Sequence, residues 1–145
     1  MKIITILRTV IVFCIIMQSH SLFAQNPINW TADQLMQPGA LAKNIQDGKN
    51  IPTIFCVGPG ATIPGSINIG PAQLSDNIAK LKKALDSLPK NTAIVIYCGC
   101  CPFEHCPNVR PAIEALKQGG FTNYKLLNLE HNIKADWLDK GYPKI

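Results

Sequence analysis

Four cysteines fall within nine residues: Cys98, Cys100, Cys101 and Cys106. They lie in the segment Tyr97-Cys98-Gly99-Cys100-Cys101-Pro102-Phe103-Glu104-His105-Cys106-Pro107-Asn108-Val109-Arg110-Pro111. A structural disulfide framework spreads its cysteines along the chain, so this crowding reads as a site. The first chemistry it offers is nucleophilic. Asn108 is a good helix cap, and Pro111 then falls in the first turn, where a missing N–H costs little. A helix opening there points unpaired N–H groups and a partial positive charge at the loop. A thiolate held at that point has a depressed pKa and is nucleophilic at neutral pH. Gly99 leaves room beside Cys98 for close backbone approach. Arg110, the only arginine after residue 24 against eleven lysines there, carries a planar fork suited to an oxyanion. The alternative for Arg110 is an ordinary surface residue.

The same thiols suit two other chemistries. Cys98 and Cys106 can pair across the loop, while a bond between adjacent Cys100 and Cys101 would be strained and easily reduced. Cys98, Cys100, Cys101, His105 and Cys106 are also soft ligands for zinc or copper as Cu(I). Their spacing is not a usual structural-zinc pattern. Cys56 stands apart in sequence, at the end of an apolar run, and is a further candidate as ligand or resolving thiol. A third possibility is an inert domain with structural disulfides.

The neighbours have plainer readings. His105 reads as an exposed loop residue and Glu104 as a solvated one. His131 follows a strand and has a capping or solvent role. Trp30 and Trp137 are core or groove aromatics. Phe103 either lines a site mouth or packs the loop down.

The elements that position this loop alternate. Thr31 caps a short helix through Met36, broken by Pro38-Gly39. Ala40 to Gln46 is a second short helix. Ile51 to Val57 and Ile67 to Ile69 read as strands between Gly/Pro breakers. Ile78, Leu81, Leu85 and Leu88 recur at helical spacing in a helix opened by Ser75 and ended by Pro89. Ala93 to Tyr97 is a continuous apolar run, as in a strand buried on both faces. A helix from Asn108 to Gln118, a strand from Tyr124 to Leu129 and a helix from Ile133 to Lys140 complete the chain. Alternating strands and helices predict an α/β fold, a central parallel sheet with helices on both faces. Ligands gather where such strands' carboxyl ends open into loops. Both Cys56 and Cys98 sit at such ends, so the two are expected to be neighbours.

The chain has 145 residues, enough for one domain. Its 47% hydrophobic content supplies a core and argues against disorder. The net charge of +5 is partly due to Lys2 and Arg8. The lysines are scattered and aromatics are 7%, so no nucleic-acid surface is expected. Residues 1–24 pair a positive start with the apolar run Val10 to Met17, too short to span a bilayer. This is the pattern of a secretory signal peptide cleaved after Ala24. It predicts an exported protein, periplasmic in a Gram-negative source, with no stable membrane insertion after cleavage. Residues 25–39 form a lead-in and 40–145 the domain.

Several segments together resemble the rhodanese-like domain of the sulfurtransferases. Ile63-Pro64-Gly65-Ser66-Ile67-Asn68-Ile69 is similar to the family's G-H-I-P-G-A-x-N-I stretch, with Ala61-Thr62 in place of Gly-His. Leu88-Pro89-Lys90 followed by Ile94-Val95-Ile96-Tyr97-Cys98 resembles the approach to its active cysteine. Leu116 through Gly120-Phe121, and Trp137 with Gly141-Tyr142-Pro143, resemble the following helix end and the C-terminus. The likeness covers about residues 40–145. The loop is longer than the family's usual one, and Pro102 and Pro107 remove two N–H donors from it. Cys56 and Gly58 stand near the place of the family's strand-end Asp and following Arg.

The resemblance implies the three-layer rhodanese-like fold and a sulfur-accepting nucleophile at Cys98. That thiol would become a persulfide and pass its sulfur to a thiophilic acceptor. Gly99, Cys100, Cys101 and Arg110 would then contact the substrate, a small sulfur-containing anion or thiol. Cys106 and Cys56 are possible resolving thiols. No cofactor is implied, and no partner protein is legible.

Overall fold

Short, mostly apolar runs pair side by side, all in one direction. The computed structural model describes residues 30–145. Its strands are β1 (Leu35–Met36), β2 (Thr53–Cys56), β3 (Ile67–Asn68), β4 (Ile94–Tyr97) and β5 (Tyr124–Leu127). They form one sheet in the order β1-β5-β4-β2-β3, every pair parallel. All four residues of β4 are buried, which is why that run shows no polar alternation. Thr53 lies opposite Ile94 and Cys56 opposite Tyr97, so β2 and β4 end level. The Val57 N–H donates to the Tyr97 carbonyl at 2.8 Å, carrying the pairing one residue further.

Side-chain alternation then assigns the two faces. Phe55, Ile94 and Ile96 pack with Leu81 and Leu85 of α2 (Ser75–Leu85) and with Ala112, Ile113 and Leu116 of α3 (Val109–Gln118). Ile54, Cys56, Val95 and Tyr97 pack on the other side against Leu41 and Ala42 of α1 (Pro38–Asp47) and against Trp137. Trp137 sits in a short π-type helix, Lys134–Leu138, and its Nε1 donates to the Pro143 carbonyl at 2.6 Å. The sheet is covered on both faces, a three-layer α/β fold. Among the described residues no helix is long and apolar enough to cross a membrane.

Three expectations change. Only Ala32–Gln34 of the segment after Thr31 is helical, as a 3-10 turn; Leu35 and Met36 instead pair with β5 opposite Leu126 and Leu127. The backbone groups that β5 offers outweigh local helix propensity there. Pro38-Gly39 opens α1 and breaks nothing, since a proline in the first turn has no N–H to lose. Residues 35–39 therefore supply a strand and a helix start. The final helix is also shorter than read, Lys134–Leu138. The signal-peptide reading of residues 1–24 lies outside the described residues.

Tyr97 fixes the turn that follows β2. Its buried hydroxyl accepts from the Thr62 N–H at 2.9 Å and the Ile63 N–H at 3.3 Å, and lies 3.1 Å from Ser66 Oγ. Tyr97→Phe strands both N–H groups and is expected to cost about 1–3 kcal/mol. A urea midpoint equal to that of the wild type would show that the hydroxyl is dispensable.

Candidate functional site

β4 delivers Cys98. One residue beyond the strand, it falls on the α2/α3 face of the sheet and is 4% exposed. Gly99 then turns the chain with φ 86°, a left-handed value that a side chain resists. A Cβ there would also lie 3.0 Å from the Cβ of Ile133. The turn folds Cys100 back, placing its Sγ 3.1 Å from the Cys98 Sγ. Cys101 follows at 3.3 Å from Cys100. A 3-10 turn at Phe103–His105 reverses the loop again and buries Cys106. The four Sγ atoms of Cys98, Cys100, Cys101 and Cys106 all lie within 4.8 Å of one another. Two backbone bonds tie the loop to the β5 side: Phe103 N–H to Leu129 O at 3.4 Å and Ile133 N–H to Gly99 O at 2.9 Å.

Asn108 closes the site from the far end. Its Nδ2 donates to the Cys98 Sγ at 3.3 Å, and its Oδ1 accepts from the Gln73 N–H at 3.0 Å. The residue read as a helix cap makes no capping bond; its amide is spent across the site instead. Sequence reading missed Asn108 as a thiolate partner, because an Asn before a helix is the ordinary cap. It also missed Gly58, where a Cβ would meet the Cys98 carbonyl oxygen at 2.2 Å and its Sγ at 2.8 Å.

These contacts favour one charge in the cluster. The Cys106 thiol, donating to Cys98, holds the Cys98 thiol down most strongly; burial opposes it. The Cys100 N–H and thiol and the Asn108 amide add to the effect, bringing Cys98 from 9.0 to about 5. Cys100, though exposed, is pushed up to about 12, by partial desolvation of its sulfur against the loop and then by the hydrogen bonds it gives Cys98 and Cys101. Cys106 is raised because its proton is held on the Cys98 sulfur and it is buried. The donors are thus two thiols, the Cys100 N–H and one carboxamide, where the sequence pointed to the helix end.

The remaining candidates divide. Cys56 is not brought to the cluster: it is fully buried on the α1 face, donates to Gly60 O at 3.2 Å, and burial pushes its thiol up. Facing away, it is neither a fifth ligand nor a resolving thiol. Arg110 Nη2 donates to Glu104 O at 3.1 Å and its Cζ stacks 5.7 Å from the Trp30 ring centroid, so it braces the outer side of the loop. Phe103 is buried and packs the loop down, while Glu104 and His105 are exposed. His131 Nδ1 lies 3.0 Å from Asp136 Oδ1 at the start of the last helix, a local capping arrangement. Burial raises the Asp136 carboxyl, but the His131 N–H and ring outweigh it and hold the group below its usual range. A cavity of about 350 Å³ bounded by Met36, Ala40, Pro52 and Val95 opens at the strands' amino ends, away from the cysteines.

Asn108→Ala removes one donor to the thiolate and the acceptor of the Gln73 N–H. The Cys98 alkylation midpoint is expected to move to higher pH, and stability to fall by about 1–3 kcal/mol. An unchanged alkylation profile would show that the amide does not reach the sulfur.

Cys56, Cys98, Cys100, Cys101 and Cys106 are all free thiols. The arrangement offers an activated thiolate, thiol pairs in hydrogen-bond contact, and four sulfurs that can hold a metal ion. No known family model and no curated protein matches the chain. A crystal structure of the Alr3790 protein from Anabaena sp. is similar, with a TM-score of 0.54 and 20% identity. The match covers 76% of this chain and 90% of that one. At that identity the likeness bears on architecture alone, and it agrees with the parallel three-layer arrangement.

Proposed function

We propose that this chain is a rhodanese-like sulfurtransferase, exported by its first 24 residues, that carries sulfane sulfur on Cys98. One observation carries the reading: the Cys98 sulfur sits among donors that stabilise its anion, with Asn108 Nδ2 at 3.3 Å and the Cys100 Sγ at 3.1 Å. The thiolate attacks the outer sulfur of a small anionic donor such as thiosulfate. The donor's S–S bond breaks, sulfite leaves with its electron pair, and Cys98 becomes a persulfide. A thiophilic acceptor then attacks the outer sulfur, and Cys98 departs as the thiolate it was. The donors that favour the thiolate also receive the charge of the persulfide.

The test is intact mass after anaerobic mixing of the reduced protein with thiosulfate or glutathione persulfide. One sulfur atom should be gained and then removed by cyanide. A gain that persists in Cys98→Ser rejects the assignment.

A second reading is favoured by the clustering itself. In a tetrahedral zinc–thiolate site the sulfurs stand about 3.8 Å apart, given Zn–S bonds of about 2.3 Å. The four Sγ atoms here, within 4.8 Å, bracket that spacing. Thiolates suit zinc and Cu(I) alike, and the chain would then be a soft-metal module on an inactive scaffold. Tag-free protein equilibrated with either ion would bind one equivalent and protect four thiols from alkylation. The 3.1 Å approach of Cys98 and Cys100 also suits thiol–disulfide exchange. Counting thiols by mass spectrometry with and without reductant separates that case.

A further inference from the structure

We infer that Cys100 is the delivery thiol of this site: it takes sulfur from the enclosed Cys98 and presents it to an acceptor thiol carried on another protein. The inference rests on the sulfur-transfer reading of Cys98 and adds its outlet. Cys98 is 4% exposed, with the Gly58 backbone pressed against it on one side and Asn108 on another. A small anion needs little room, but a thiol on a protein surface cannot be driven into such a recess. Cys106 is as enclosed as Cys98, at 1% exposure. Cys100 alone of the four is exposed, and its Sγ lies 3.1 Å from that of Cys98. Cys101, half-buried, is one further step away at 3.3 Å from Cys100. The sulfurs therefore form a short path from the recess to the surface, and Cys100 is its outer end.

The transfer balances without any added oxidant or reductant. Cys100 sulfur attacks the outer sulfur of the Cys98 persulfide anion. The Cys98 S–S bond breaks and its electron pair returns to Cys98 as thiolate. The new S–S bond forms on Cys100, and the Cys100 proton moves to the transferred sulfur. The outer persulfide then meets the protein thiolate, which attacks the same sulfur and releases Cys100. The competing path, attack on the inner sulfur, would expel hydrosulfide and close a Cys98–Cys100 disulfide. That outcome leaves a disulfide and no added sulfur on Cys100, and so counts against the relay.

The experiment uses the full chain, wild type and Cys100→Ser, with thiosulfate as donor. Fragmentation mass spectra of the alkylated loop locate the added sulfur. Two acceptors are compared, cyanide by thiocyanate formation and reduced thioredoxin by sulfide release. In the wild type, sulfur should be found on both Cys98 and Cys100; in Cys100→Ser, on Cys98 alone. The ratio of thioredoxin rate to cyanide rate should fall at least about tenfold in Cys100→Ser, because the pre-positioned outer thiol is gone. Cys101→Ser should leave sulfur on Cys100. An unchanged ratio, or wild-type sulfur never found on Cys100, overturns the relay while the Cys98 reading stands. Sulfur on neither residue in the wild type overturns the sulfur-transfer reading itself, and the relay with it.

Discussion

Cys98→Ser should lower cyanide-dependent sulfur transfer by about a thousandfold or more, to the background of the uncatalysed reaction. The hydroxyl keeps the hydrogen-bonding role but has neither the anion nor the sulfur to form an S–S bond. Circular dichroism should remain that of a folded chain, since serine fits the space. The same argument fixes the pH profile of the wild type. Cys98 is an acid whose value in the folded chain lies below the ordinary thiol, at about 5. Its thiolate population is therefore nearly constant above neutrality and is lost as pH falls through that value. Alkylation of Cys98 by iodoacetamide should be flat between about pH 7 and 8 and half-maximal near pH 5. An ordinary thiol would instead gain about tenfold per unit up to about pH 8.5. Stability follows the same sign. The thiolate's contribution is complete above the unfolded value of 9.0 and fades progressively as pH drops toward about 5. A Cys98 alkylation rate still climbing tenfold per unit at pH 8 would show that no thiolate is held there.

Much of the frame was legible because it depends on local pattern. The uninterrupted Ala93-to-Tyr97 run announces a strand covered on both sides, and β4 is the central strand, buried throughout. The Ile78/Leu81/Leu85 spacing marks α2, and Leu81 and Leu85 are its buried residues. What failed depends on pairing across the sheet. β1 is two residues long and exists only because β5 has a free edge beside it. No periodicity can reveal so short a strand.

The site divides on the same line. Four crowded cysteines are visible in any reading of the sequence, and the loop does gather them. The side on which Cys56 falls is not visible, because it is set by register. Cys56 stands opposite Tyr97 and shares its α1 face. Cys98 is one residue further and points to the other. A shift of one residue would have reversed the outcome. Asn108 and Arg110 show a further limit. Both have local roles that sequence suggests, a cap and an anion fork. Tertiary contacts claim them for Cys98 and Gln73 in one case, for Glu104 and Trp30 in the other.

Among the glycines, Gly58→Ala should add the most disruptive methyl group. The objection to it is steric, not conformational, because Gly58 is not among the glycines with positive φ. A Cβ at this position would stand 2.2 Å from the Cys98 carbonyl oxygen and 2.8 Å from its Sγ. The oxygen belongs to backbone and cannot swing aside as a flexible side chain can. Nor can the strand ends part freely, since Val57 N–H holds Tyr97 O at 2.8 Å immediately before both residues. Relief therefore requires breaking that bond or displacing Cys98. Overpacking of this kind costs about 1–3 kcal/mol, occasionally more. A shift of Cys98 by about 1 Å is enough to lower transfer about a hundredfold. Gly60→Ala is the matched control, two residues away with open space around its Cβ, and should change stability by less than about 0.5 kcal/mol. The two variants are compared by urea midpoint and by the rate of Cys98 alkylation at pH 7. If Gly58→Ala matches Gly60→Ala in both, the β2 end does not press on Cys98, and the enclosure that makes an outer thiol necessary is absent.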